Sequence, residues 1–147
     1  MTSRHHRRAQ LRAAFAAFLV SATLPSIAHG QEMMAEQFIG KFTVFGVEGR
    51  AALADENGAI LYTYEKDPPF VSVCTDRCAQ EWPPATAIDA DTDFQEFTII
   101  SRPDGLRQWT FNGRPLYRSR IDPGPGETKA IGTDGLWYVV RVLAHFM

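Results

Sequence analysis

Cys74 and Cys78 are the only two cysteines of a 147-residue chain and stand four residues apart. One helical turn brings Cα atoms at that spacing within disulfide reach. In an exported protein such a pair is most simply a structural disulfide, which needs no cofactor. The same Cys-x3-Cys spacing supports a second chemistry, a copper or thiol-redox site, since thiolate, thioether and imidazole ligands all suit copper. Its third ligand would be His145, with Met33 and Met34 as further donors.

Phenols and carboxylates form the other candidate set. Tyr62, Tyr64 and Asp67, with Tyr117 and Asp122 in the second copy and Trp109, could converge on a ligand. The plainer reading is that each Tyr packs its ring and bonds its hydroxyl while an Asp before Pro caps a turn. Asp67 and Asp122 could also serve a hydrolase as general acid and base, provided that they lie within roughly 5 to 10 Å of each other in an open cleft. Trp82, Trp109 and Trp137, with Phe111 and Tyr138, either line an aromatic groove or pack in the core, and core packing is the default. The acidic loop 122–134 could offer oxygens to calcium but lacks alternating acidic ligands, so it reads as a solvated turn. No Gly-x-Ser-x-Gly and no histidine pair at zinc-ligand spacing occur, which leaves catalysis little support. The chain reads as a non-catalytic binding or interaction module for an unknown small ligand or envelope protein. The copper or thiol-redox protein and the Asp67/Asp122 hydrolase stand as alternatives.

A duplication must position these residues. Sliding the chain by 55 positions aligns Phe42-Thr43 with Phe97-Thr98, Asn57-Gly58 with Asn112-Gly113, Leu61-Tyr62 with Leu116-Tyr117, Asp67-Pro68 with Asp122-Pro123 and Trp82 with Trp137. Nine of 41 positions are identical without a gap, and they are the aromatic, Gly and turn types that fix structure. The alignment predicts strands at 42–45, 51–54 and 60–64, repeated at 97–100, 106–111 and 115–119, with a last strand at 136–143. The Asn-Gly pairs signal type I′ hairpins. The one helical segment is 75–82, with Thr75 as N-cap and Pro83-Pro84 as its stop. Three-stranded meanders are marginal alone, so repeats 42–82 and 97–137 should pack with pseudo-twofold symmetry. The expected fold is all-β with one short helix, a small sandwich or barrel forming a single domain over 41–145.

Residues 1–30 read as a signal peptide: Arg4, Arg7, Arg8 and Arg12, an apolar run, then a small-residue exit before Gln31 or after Ala28. Arg7-Arg8 leaves the general secretory and twin-arginine routes both open. The apolar run is shorter than the roughly 20 residues of a membrane span. Residues 31–40 read as a flexible arm. Without the leader, 11 Lys and Arg face 17 Asp and Glu, a net charge of −6, which argues against nucleic acid. The expectation is a periplasmic or secreted monomer, neither membrane-spanning nor lipid-anchored.

In LYTYEKD, then Cys74, Cys78 and Trp82-Pro83-Pro84, then DGLRQWTFNGRPLY and the Gly-x-Trp at Trp137, the chain resembles a family of secreted and lipoprotein repeats of unknown function with a Tyr-x-aromatic-x-x-Asp signature. Three features depart from it. No cysteine is placed for lipidation, Ser119 stands where the second signature wants an aromatic, and Tyr138 stands where the family is expected to favour His, which weakens any metal role. The resemblance implies no assigned activity.

Overall fold

The aromatic and β-branched runs become strands that double back at glycine-bearing turns, and most follow the pattern read from the sequence. A computed structural model describes residues 37–143; the leader over 1–30, the arm residues 31–36 and His145 lie outside them. In chain order the elements are β1 (Gln37–Ile39), β2 (Phe42–Val47), β3 (Arg50–Ala54), β4 (Tyr62–Tyr64), α1 (Asp76–Glu81), β5 (Phe97–Ser101), β6 (Arg107–Phe111), β7 (Arg114–Pro115) and β8 (Trp137–Val139). Strands β1-β2-β3 form one antiparallel sheet and β5-β6-β7 another, while β4 pairs with β8 in a small third. The β-rich class with two similar units and one short helix is as expected. Among the described residues the strands do not close into a barrel.

Strand β1 falls within the segment read as an arm. Its Ile39 pairs with Phe42, and the second half repeats the contact as a bridge between Phe94 and Phe97. Helix α1 carries Thr75 at its N-cap, but the expected side-chain cap is not made; the Thr75 hydroxyl turns to the Asp76 carboxylate at 3.1 Å.

The ungapped alignment conceals two compensating shifts. Thr43 faces Ala54 whereas Thr98 faces Thr110, offsets of 55 and 56 for the two partners. The extra residue enters between β5 and β6 and is taken back at the next turn. Asn112-Gly113 is a two-residue turn with φ of 50° and 75°, both positive as type I′ requires. Asn57-Gly58 is not its copy. Asp55 N–H donates to the Ala59 carbonyl at 3.0 Å, which makes a three-residue loop in which only Gly58 has positive φ. The Asp55 side chain holds that loop by accepting the Asn57 and Ala59 N–H groups.

The halves do more than stack, because each is completed by the closing segment of the other. Strand β8 lies beside β4, with Val139 opposite Tyr62, and beyond it the Val140 carbonyl accepts the Leu53 N–H of β3 at 2.9 Å. The equivalent segment of the first half runs along the second: Pro84 bridges Tyr117, Ala85 N–H donates to Leu116 at 2.8 Å and Trp109 N–H to Ala85 at 2.9 Å. The reciprocal exchange gives each short sheet the extra strand that it needs to be stable.

Tyr62 and Tyr117 sit opposite one another on the pseudo-twofold and exchange two backbone bonds of 2.9 Å. Two buried clusters flank this pair, as alternation along a strand demands. One holds Leu53, Leu61, Trp109, Leu116 and Val140 around Phe42 and Phe97, which stack at 4.4 Å. The other holds Ile60, Tyr62, Tyr117 and Cys74 around Trp82 and Trp137, which stack at 3.9 Å and 7°. Equivalent residues of the two copies therefore meet each other on the axis.

Candidate functional site

Each signature tyrosine reaches the aspartate of the other repeat. Tyr62 Oη donates to Asp122 Oδ2 at 2.7 Å, and Tyr117 Oη donates to Asp67 Oδ2 at 2.6 Å. The spacing accounts for this: each tyrosine lies at the axis, where Tyr62 and Tyr117 bridge, and five residues later Asp-Pro turns the chain back over the partner copy. The second oxygen of each carboxylate pins its own loop. Asp67 Oδ1 accepts the Val73 N–H at 2.8 Å, and Asp122 Oδ1 accepts those of Lys129 at 2.8 Å and Ala130 at 3.0 Å.

Both phenols are fully buried. Burial, and then the neighbouring carboxylate, pushes each well above the ordinary tyrosine range. Burial also raises Asp67, against the bonds from Tyr117 and the Val73 N–H and the charges of Arg102 and Arg114 that favour its ionised form. Perturbed titrations mark structural networks as well as active sites. Here each carboxylate is bonded to a tyrosine rather than to the other carboxylate, and both of its oxygens are occupied by the fold's own donors.

One network breaks the pseudo-symmetry, and no motif or repeat in the chain points to it. Arg102 is 4% exposed. Its guanidinium donates to the Ser72 hydroxyl, to Gln108 Oε1 at 2.8 Å and to the Cys74 carbonyl at 2.9 Å, and it grips Asp104 at 2.9 Å. Ser72 in turn meets the Tyr117 hydroxyl at 2.7 Å. The bond from Arg102 holds the Asp104 carboxyl below its usual range. The equivalents of Arg102 and Gln108 in the first half are Val47 and Ala52, both buried in the Trp82 cluster, so a repeat-based search passes over the pair.

Cys74 and Cys78 are joined in a disulfide with Cα atoms 5.2 Å apart. It closes the start of α1 beneath the loop that Arg102 holds. Among the described residues no group of three or more His, Cys, Asp or Glu is placed to hold a metal ion. His145, the third ligand of the copper reading, lies outside those residues.

The sequence model of a family described as a secreted repeat of unknown function matches residues 51–86 and 98–141, more than half of the chain. The chain belongs to this family. No curated protein and no solved structure matches it. The two matched segments each contain one tyrosine and one aspartate of the exchanged pairs, so in this chain the bonds Tyr62–Asp122 and Tyr117–Asp67 join the two copies of the secreted repeat. Among the described residues no helix is long and apolar enough to cross a membrane.

The remaining aromatic candidates of the secreted repeat do not converge. Trp109, 2% exposed, belongs to the Phe42 cluster, where it meets the Phe42 ring edge-on at 5.5 Å, so it does not join Tyr62 and Asp67. Phe111 packs on Phe97, and Tyr138 is half exposed with its hydroxyl on the Gly135 carbonyl. Tyr64 stacks on Trp137 at 4.4 Å and 18°. Two open grooves meet at Ser119. One is lined by Asn57, Ile60, Asp122 and Pro123. The other, about 330 Å³, is lined by Glu81, Trp82, Arg120, Ile121, Thr133 and Asp134.

Proposed function

We propose that the chain is a non-catalytic module, exported to the periplasm, that binds a small ligand in the groove beside Trp82. The reading is carried by one observation: the groups best equipped for chemistry, Asp67, Asp122, Tyr62 and Tyr117, are bonded to one another and to backbone amides across the two copies. A general acid or base needs a free position toward its substrate, and the hydrolase reading lacks one. The copper reading would require reduction of the Cys74–Cys78 bond before either sulfur could serve as a ligand. The Trp82 groove, by contrast, combines an aromatic edge with polar groups of both signs, the usual make-up of a ligand site.

Ligand that binds only the folded state raises the melting temperature with concentration. The test is a thermal-shift panel of saccharides, short peptides, amino acids, phenols and indoles on the oxidised protein. A saturable, concentration-dependent rise with one chemical class, with the compound recovered unchanged, is the expected result. A panel in which no class gives a rise, or in which a compound is consumed, would overturn the reading.

A further inference from the structure

The pseudo-twofold makes each half a template for the other, and at one place they differ by a whole ring. Tyr64, Trp137 and Trp82 form a continuous stack: Tyr64 on Trp137 at 4.4 Å, Trp137 on Trp82 at 3.9 Å. Symmetry calls for a fourth ring on the outer side of Trp82, from the residue equivalent to Tyr64. That residue is Ser119. The groove that opens there is bounded by Trp82, Ser119, Thr133 and Asp134, the counterparts of Trp137, Tyr64, Cys78 and Ala79. Tyr64, Cys78 and Leu136 pack against the Trp82 and Trp137 cluster, so in the first half the corresponding space is filled by the tyrosine.

We propose that the Trp82 groove is a stacking site for a flat aromatic ring of phenol or indole size bearing a hydroxyl or amine donor. This rests on the binding-module reading and names its ligand class. The groove's volume of about 330 Å³ comfortably exceeds the about 150 Å³ that accommodates a benzene in a protein interior. Trp82 is 8% exposed and lines the groove, so a small part of the indole surface reaches it, and offset stacking, which needs only partial overlap of the rings, is a geometry that such rings prefer. Asp134 and Glu81 on the rim supply acceptors for the donor. Asp134 Oδ1 already accepts the Leu136 N–H and Glu81 Oε1 the Arg77 Nε–H, and each carboxylate keeps a second oxygen. Arg120 donates to the Gln80 carbonyl and is held at the wall.

The probe is p-cresol, the side chain of tyrosine itself, with cyclohexanol as a comparator of similar size without a π face. Binding is read by quenching of tryptophan fluorescence and by thermal shift. The wild type should bind p-cresol saturably and at least tenfold more tightly than cyclohexanol. Ser119→Tyr, which supplies the missing ring, should weaken p-cresol at least tenfold, and Ser119→Ala should leave it unchanged within twofold. Tyr64→Ser should open the twin place on Trp137 and add a second p-cresol site. Equal binding by wild type and Ser119→Tyr, or equal binding of p-cresol and cyclohexanol, would overturn the proposal. A panel in which a saccharide or peptide raises the melting temperature and p-cresol does not would overturn it while sparing the module reading. Should Ser119→Tyr not fold, amide shifts in the wild type decide: p-cresol should move Trp82, Ser119 and Asp134 and leave Trp109 in place, and movement centred on Trp109 would count against it.

Discussion

Tyr62 and Tyr117 carry the same burden in the two copies, and their chemistry makes the fold sensitive to alkali. A group whose folded pKa lies above its unfolded one stabilises fully below the unfolded value, about 10 for tyrosine, and that stabilisation is lost as pH rises through the folded value. Burial and the facing carboxylates raise both phenols, so stability should fall above about pH 10 by up to about 1.4 kcal/mol per pH unit per tyrosine. Urea midpoints measured from about pH 9 to 11 check this, and a Tyr62→Phe/Tyr117→Phe double variant should decline more gently than the wild type. The tyrosines and aspartates were legible as turn chemistry repeated at 55 residues. Their exchange between copies was not, because spacing reveals which residues recur and not which copy they reach. Arg102 and Gln108 stayed hidden for the opposite reason: they answer to apolar Val47 and Ala52 and so fall outside the repeat.

The turns and the disulfide carry separable parts of the stability. Gly113 and Gly49 both have positive φ, 75° and 72°, but a Cβ on Gly113 would meet the Phe70 ring at 2.9 Å whereas one on Gly49 meets nothing within 4 Å. Gly49→Ala should therefore cost about 1–2 kcal/mol of backbone strain, and Gly113→Ala should cost clearly more, as compared by urea unfolding. The Cys74–Cys78 bond closes a loop of only five residues, for which loop-closure entropy gives about 2 kcal/mol. Reduction should lower the unfolding free energy by that amount, read from the shift of the urea midpoint, and leave the far-ultraviolet circular dichroism native, and the untreated protein should titrate no thiol. Strand positions were largely readable from residue types. The register was not, because the three-residue loop at Asn57-Gly58 and the two-residue turn at Asn112-Gly113 share one dipeptide, and the difference is set by the Asp55 side chain. Strand β1 escaped notice because three residues show no alternation until a partner strand is known.

At the scale of the molecule, the exchanged closing segments make the two copies one cooperative unit. Strand β8 belongs by sequence to the second copy and by hydrogen bonding to the first, and segment 82–87 does the reverse. Thermal unfolding should show a single transition by circular dichroism and tryptophan fluorescence together. A fragment of residues 37–91 alone should remain unfolded, since it lacks the strand that completes its sheets. Two resolved transitions, or a folded fragment, would mean that the copies are separate units. The duplication foretold a shared interior, but not that Phe42 would stack on Phe97 and Trp82 on Trp137 nor that each copy hands over its last strand, because hydrophobic pattern fixes which face is buried and leaves the partner open.

The reciprocal tyrosine-aspartate lock is tested most directly by double-mutant cycles on urea stability. Tyr62→Phe with Asp122→Asn, and Tyr117→Phe with Asp67→Asn, should each show a coupling of about 1–3 kcal/mol, in the range of a hydrogen bond to a charged group. The within-copy pairs, Tyr62 with Asp67 and Tyr117 with Asp122, should couple by less than about 0.5 kcal/mol. Strong coupling within a copy and none between copies would contradict the account.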